Sequence, residues 1–253
     1  MRLFTWLAPS IPLEFYRALA GQLSNALGAE VSVTSITSAS GPAPRGHEPF
    51  SSGEADLGAL CGPTLGWLLA RTPPAVTLLA APVPKDSHAA GRPVYFADLV
   101  VRRDSTVRSV EDLRASRLAY NDRRSQSGWF SVLGRVGDVE FFSSCERTGS
   151  HARSIEAVRR GEADVAAIDS TATLDRKGLR TVERLGPFAI QPIVARAGLA
   201  PGIVDEVART LTTLHSSPSG QRCLELAGYL RFVTADQQAY RSATGDGLPA
   251  DVG

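Results

Sequence analysis

Apolar positions along this chain switch repeatedly between two spacings. Residues 3–7 form a short apolar run that ends in a turn, Pro9-Ser10-Ile11-Pro12. After it, Leu13, Tyr16, Leu19, Ala20, Leu23 and Leu27 recur every three or four positions, and Gly28 follows. That spacing predicts a helix with a glycine stop. Residues 31–36 are β-branched and alternate with polar ones, as in a strand. A β-α-β opening implies a right-handed crossover and a parallel strand pair.

The pattern continues to the end of the chain. It predicts strands at 55–60, 77–81, 94–101, 118–121, 139–142, 165–168, 179–185, 188–195 and 232–233. Helices are predicted at 65–70, opened by Cys61-Gly62-Pro63-Thr64, and at 129–136 and 151–160, the latter stopped by Gly161. Two more are predicted at 201–214, with Pro201 in the first turn, and at 219–227. Residues 109–113 read as a capped helical turn. Pro192 inside the strand at 188–195 marks an edge or a crossing segment. Residues 38–52 form a Ser/Gly/Pro-rich loop, and the tail from Ser242 is expected to fray. Alternating short strands and helices predict an α/β fold with mainly parallel sheets. The tetrapeptide Gly-Glu-Ala-Asp occurs at 53–56 and at 161–164, a hint of two similar α/β lobes.

Ligands of such sheets bind beyond the carboxyl ends of the strands. The polar candidates fall there: Ser10 after the first strand, Cys61 and Gly62 after the third, then Ser125 to Ser127, His151 and Asp169. Ser125-Gln126-Ser127-Gly128 joins an apolar strand to an apolar-periodic helix. Hydroxyls at a helix start cap its free N–H groups, and the same N–H groups and dipole hold oxyanions. Gly128 permits close backbone approach. Thr148-Gly149-Ser150-His151 opens a second helix, where the imidazole can donate to the same anion. Simple capping explains the serines as well, and a surface or structural role explains the histidine. Arg123 and Arg124 read as a solvated face.

Composition narrows the partners. The chain has 253 residues, enough for one large domain or two smaller ones. A formal net charge of +1, with no basic block interleaved with aromatics, argues against nucleic acid. No stretch approaches the roughly 20 apolar residues of a membrane span. Residues 2–7 read at once as a strand, with no basic and apolar leader before them. The expectation is a cytoplasmic protein, or a periplasmic or extracytoplasmic one whose export signal this chain lacks. Three cysteines (Cys61, Cys145, Cys223) and four scattered histidines suggest neither a disulfide framework nor a metal site. There is no G-x-S-x-G, H-E-x-x-H or P-loop, and no cofactor is expected.

The order of the motifs carries a resemblance. Residues 95–103 (YFADLVVRR), 110–113 (VEDL), 125–128 (SQSG), 148–151 (TGSH) and 157–170 (AVRRGEADVAAIDS) resemble the phosphonate-binding family of ABC-importer solute receptors. The likeness is strongest between Tyr95 and Ser170 and looser before it. It implies a type II periplasmic-binding-protein clamshell with two crossing strands, near 95–99 and 188–193. Lobe 1 would be 1–96 plus 189–253, and lobe 2 would be 97–188. It further implies that Ser125, Ser127 and His151, helped by the Gln126 N–H, hold phosphonate oxygens. Asp169 either faces a ligand amine or caps residues 170–173. Tyr95 either packs over the ligand or belongs to the core, and Ser10, Cys61 and Gly62 match by position.

At the place of the family's ligand-facing tyrosine this chain has a loop with Arg45, His47 and Phe50, so a tyrosine-lined aminoalkylphosphonate pocket is not implied. The expected protein is a monomeric, non-catalytic receptor for a phosphonate or phosphate ester, delivering to an ABC permease. The alternatives are an enzyme like the thiamin-pyrimidine synthases, with His151 and Cys61 reactive, and a ligand sensor on the same fold.

Overall fold

The computed structural model describes residues 1–35 and 49–241. Arg45, His47 and the tail from Ser242 lie outside the described residues. In chain order the strands are β1 (Arg2–Thr5), β2 (Ser32–Ser35), β3 (Leu57–Ala59), β4 (Val76–Pro84), β5 (Val94–Arg102) and β6 (Arg117–Tyr120). They continue with β7 (Ser144–Arg147), β8 (Val165–Asp169), β9 (Leu179–Ala189), β10 (Ile193–Arg196) and β11 (Tyr229–Thr234). The helices are α1 (Leu13–Leu27), α2 (Gly62–Leu69), α3 (Ser131–Val136), α4 (His151–Arg159), α5 (Pro201–Thr213), α6 (Pro218–Glu225) and α7 (Gln237–Arg241).

The strands form two sheets, ordered β11-β4-β10-β3-β1-β2 and β7-β6-β8-β5-β9. Read from β2 and from β7, the two share one plan. Three parallel strands come first (β2-β1-β3 and β7-β6-β8), then two that alternate in direction (β10-β4 and β5-β9), and the first sheet adds β11 antiparallel to β4. The sheets are therefore mixed rather than mainly parallel. The cause is connectivity: β5 and β10 are the strands the chain enters on crossing from the other sheet, and both run against their neighbours.

Both faces of each sheet are covered, as expected for α/β layers. On the first sheet, Phe15, Tyr16, Leu19, Ala20 and Leu23 of α1 are buried with Val207 and Leu211 of α5. Each such side chain contributes on the order of 2 kcal/mol. Gly28 ends α1 in the left-handed conformation (φ 61°), which glycine adopts without strain. The opposite face packs Phe4, Trp6, Leu60, Leu65 and Tyr240. On the second sheet, Trp129 and Val132 cover one face and Ile155 and Val158 of α4 the other.

The repeated Gly-Glu-Ala-Asp turn performs one task twice. Asp56 accepts from the Arg2 N–H at 3.0 Å and its own N–H donates to the Arg2 carbonyl. Asp164 accepts from the Arg117 N–H at 2.8 Å and its N–H donates to the Arg117 carbonyl. In each sheet the aspartate thus pins the start of the strand beside it. Gly53 and Gly161 sit at φ 73° and 71°, a region that favours glycine.

Two predicted strands differ. Residues 139–141 form a 3-10 turn capped by Asp138, and β7 lies just after it. Phe141 and Phe142 are apolar because they fill the core beneath the turn, with ring centroids 5.1 Å apart. The edge strand itself, Ser144-Cys145-Glu146-Arg147, is polar and among the described residues pairs only with β6. The run expected at 188–195 is broken at 190–192, where Pro192 lies in the crossing from β9 to β10.

The two crossings, 85–93 and 190–192, run side by side: the Ile190 N–H donates to the Pro93 carbonyl at 3.1 Å. The Tyr240 hydroxyl of α7 donates to the Ile190 carbonyl at 2.7 Å. An ion cluster braces the same region. Asp98 on β5, wholly buried, accepts from Arg176 at 2.5 Å and from Arg184 at 2.6 Å. Arg184 also reaches Asp86 in the first crossing at 3.0 Å. Asp98→Ala leaves two guanidinium groups without their buried partner, and its expected cost is about 3–5 kcal/mol. Urea unfolding checks this as a lowered midpoint at unchanged slope.

Candidate functional site

Six of the predicted residues line one cavity between the two sheets: Ser10, Cys61, Ser125, Ser127, His151 and Asp169. Trp6, Leu7, Ile11, Asn121 and Gln191 complete its wall. The cavity measures about 30 Å³. By the space one water needs, that is room for a small group rather than a large ligand. Tyr95, Gln126 and Gly62 do not line it and stand directly behind. The Gln126 and Gly62 N–H groups face the Cys61 sulfur, and the Tyr95 hydroxyl neighbours Ser127 and Asp169.

The first wall is the turn after β6. Ser125 takes the extended conformation of an N-cap, and its Oγ accepts from the Gly128 N–H at 3.0 Å. Its hydroxyl proton is left to donate. Residues 126–130 then wind as one wide π turn before α3, with the Trp129 and Phe130 N–H groups both reaching the Ser125 carbonyl. Wide turns of this kind often mark functional sites. Gly128 is required by a neighbour: a Cβ there would lie 1.8 Å from Asn121 Oδ1 and 2.9 Å from its Cγ.

The second wall is the start of α4. Ser150 caps the helix by accepting from the Arg153 N–H. This sets His151 inward, where its Nε2 lies 3.2 Å from Ser127 Oγ and 3.5 Å from Asn121 Nδ2. Burial pushes the imidazole down to about 4, the Arg176 charge adds to the shift, and the Ala167 carbonyl opposes it. At neutral pH His151 is therefore uncharged, with one N–H to give. Its Nδ1 closes no hydrogen bond of normal geometry.

The third wall lies at the end of β8 and in the second crossing. Asp169 Oδ1 accepts from the N–H and hydroxyl of Thr171 at 2.8 and 2.6 Å, and Oδ2 accepts from Gln191 Nε2 at 2.7 Å. Asp169 thus caps the turn and walls the cavity at once. Burial raises its pKa, against the bonds from Thr171 and Gln191 and the charge of Arg176. Burial also pushes the Cys61 thiol up to about 12, so it stays protonated. Among the described residues no lysine or arginine lines the cavity. Arg123 lies outside it, bonded to the Tyr120 hydroxyl at 3.2 Å and over the Trp129 ring at 5.5 Å.

Sequence reasoning missed Trp6, Asn121 and Gln191. A signal existed for two of them. Trp6 directly follows β1, and Asn121 directly follows β6 at the equivalent place in the second sheet. Phe50 is buried among Phe4, Trp6 and Leu65 and is not part of the cavity wall.

Two mixed sheets of one plan, joined by two crossings over a shared cavity, are the architecture of a type II periplasmic binding protein. The chain belongs to the phosphonate family of periplasmic substrate-binding proteins of ABC transporters, whose profile matches residues 6–240. Members of this family are receptors rather than enzymes.

Solved structures agree on the fold. A binding-protein component of an ABC phosphonate transporter from Pseudomonas aeruginosa superposes with a TM-score of 0.78 at 16% identity, covering 95% of this chain and 82% of that one. PhnD1 from Prochlorococcus marinus, in complex with methylphosphonate, gives 0.77 at 18%, covering 96% and 94%. XAC2383 from Xanthomonas citri, bound to ATP, gives 0.69 at 17%, covering 96% and 94%. No curated protein matches the chain significantly in sequence.

Two outcomes test this geometry. Gly128→Ala forces Asn121 out of the cavity wall, at an expected cost of about 1–3 kcal/mol, read by denaturant unfolding. The His151 shift has a definite sign. The unfolded chain binds a proton near pH 6.5 that the folded chain refuses until about pH 4. The stabilisation is full above pH 6.5 and is lost as pH falls toward 4. It amounts to on the order of 3 kcal/mol. Stability measured from pH 7.5 to 4 falls more steeply for the wild type than for His151→Asn.

Proposed function

We propose that this chain is a non-catalytic receptor for a small phosphonate or phosphate ester. The two sheets are the lobes, 1–96 plus 189–253 and 97–188, and they close about the crossings at 85–93 and 190–192. The observation that carries the reading is the donor set of the cavity. Ser125, Ser127 and His151 converge from two helix starts and Asn121 from the end of β6, with no cation in the wall among the described residues. Such a site holds an oxyanion by oriented hydrogen bonds and helix N-termini. Ser10 and Cys61 approach from the opposite lobe, so a bound group is gripped from both sides.

Size favours the phosphonate of the Prochlorococcus structure over the nucleotide of the Xanthomonas one. A cavity of about 30 Å³ has room for about two waters, which suits a compact head group and not a nucleotide. The Ser127–His151 pair would suit a nucleophile and its base by distance. A base held near 4 is largely ineffective at neutral pH, and no carboxylate orients His151 Nδ1. On this reading the protein acts in the periplasm, the compartment of its family, and presents the closed lobes of a monomer to an ABC permease.

A thermal-shift series with phosphate, methylphosphonate, phosphate monoesters, sulfonates and pyrimidines tests the reading. A ligand at 100-fold its Kd adds about 2.7 kcal/mol of stability. The expected response is confined to phosphorus oxyanions. Ser127→Ala and His151→Asn are each expected to weaken it by about 10–100-fold in titration calorimetry. A response to pyrimidines alone overturns the assignment.

A further inference from the structure

Beyond the anion-binding helix starts, the cavity wall holds two buried polar groups with nothing to bond. Trp6 Nε1 and Gln191 Oε1 have no hydrogen-bond partner among the described residues, and the two side chains are 3% and 6% exposed. Each such group carries a desolvation penalty, so its presence in a wall calls for a ligand-side explanation. The first is a donor only, the second an acceptor only.

The orientation of the Gln191 amide is not arbitrary. Its Nε2 donates to Asp169 Oδ2 at 2.7 Å. Turning the amide over would set a carbonyl oxygen against a carboxylate oxygen, so the carboxylate holds the carbonyl away from itself. Asp169 is meanwhile occupied, with three donors on its two oxygens. Trp6 is equally fixed, packed on Phe4 with ring centroids 4.4 Å apart. Trp6 directly follows β1 of the first sheet and Gln191 lies in the crossing, while Ser125, Ser127 and His151 sit at helix starts beside the second sheet. Trp6 and Gln191 line the same cavity of about 30 Å³ as Ser125, Ser127 and His151.

Resting on the phosphonate reading above, we propose that Trp6 and Gln191 form a second subsite that reads a hydroxyl on the organic end of the ligand, a short hydroxyalkylphosphonate. A hydroxyl accepts from the indole N–H and donates to the amide carbonyl. A methyl group does neither. An ammonium donates only and leaves Trp6 unpaired, and a carboxylate accepts only and leaves Gln191 unpaired. Discrimination of this kind, which leaves buried polar groups unmatched in the wrong complex, is the effective kind.

The test is titration calorimetry of the full chain with hydroxymethyl-, methyl- and aminomethylphosphonate and phosphonoformate. Hydroxymethylphosphonate is expected to bind about tenfold or more tighter than methylphosphonate. The decisive variant is Trp6→Phe, which removes the N–H and keeps a ring on Phe4. The expected result is a collapse of the hydroxymethyl-to-methyl ratio to about two- or threefold, a readout that a purely structural role would not move. Gln191→Met should lower the same ratio, although it also strips a donor from Asp169. Equal binding of the methyl and hydroxymethyl compounds overturns the subsite and leaves the phosphonate receptor standing. Tightest binding of aminomethylphosphonate also overturns it and makes Asp169 the reader. Failure of every phosphonate to bind removes the receptor reading itself, and the subsite with it.

Discussion

The Gln191–Asp169 hydrogen bond lies where the chain passes between its two sheets, and the cavity is arranged around it. Asp169 ends β8, caps the Thr171 turn and walls the cavity. Gln191 belongs to the crossing that feeds β10. Behind them, Arg176 donates to the Asp169 carbonyl and to Asp98, and Arg184 links Asp98 to Asp86 in the other crossing. The Thr173 N–H reaches over to the Ser10 carbonyl at 2.9 Å. A continuous set of charge-assisted bonds thus runs from the outer crossing to the cavity wall. Such bonds have strong directional preferences, so a change in the angle between the sheets must be accommodated within this set.

On the proposed reading, the cavity meets an anion with dipoles rather than with a cation. Arginines near it are committed elsewhere: Arg176 to Asp98, Arg147 to Asp122, Arg123 to Tyr120. A fixed cation in the wall would attract any anion. Hydroxyl, imidazole and backbone N–H groups act only at hydrogen-bond distance and in set directions, so they sort ligands by shape and protonation. The neutral state of His151 follows from this design: desolvation and the Arg176 charge together disfavour the imidazolium.

Much of this was legible in the chain because it is local. The period of α1 and its Gly28 stop, the Ser125–Gly128 turn and the Ser150 cap before His151 each rest on neighbours a few residues apart. The two Gly-Glu-Ala-Asp turns marked a repeated plan that the sheets bear out. Polar strand β7 was illegible because an edge strand is defined by its partner and has little apolar face of its own. Phe141 and Phe142, apolar and adjacent, gave a strand-like pattern while serving the core from a turn.

What the sequence determined by itself is therefore the elements, their caps and the motifs that place the chain in its family. The direction of β5 and β10 was decided only when the chain crossed between sheets, because strand polarity depends on where the preceding segment ends. The company of Trp6, Asn121, His151, Asp169 and Gln191 was likewise decided in three dimensions. They lie 30 to 185 residues apart in pairs such as Asn121–His151 and Trp6–Gln191. No local pattern records which buried donor will face which acceptor, since that depends on how the two sheets meet.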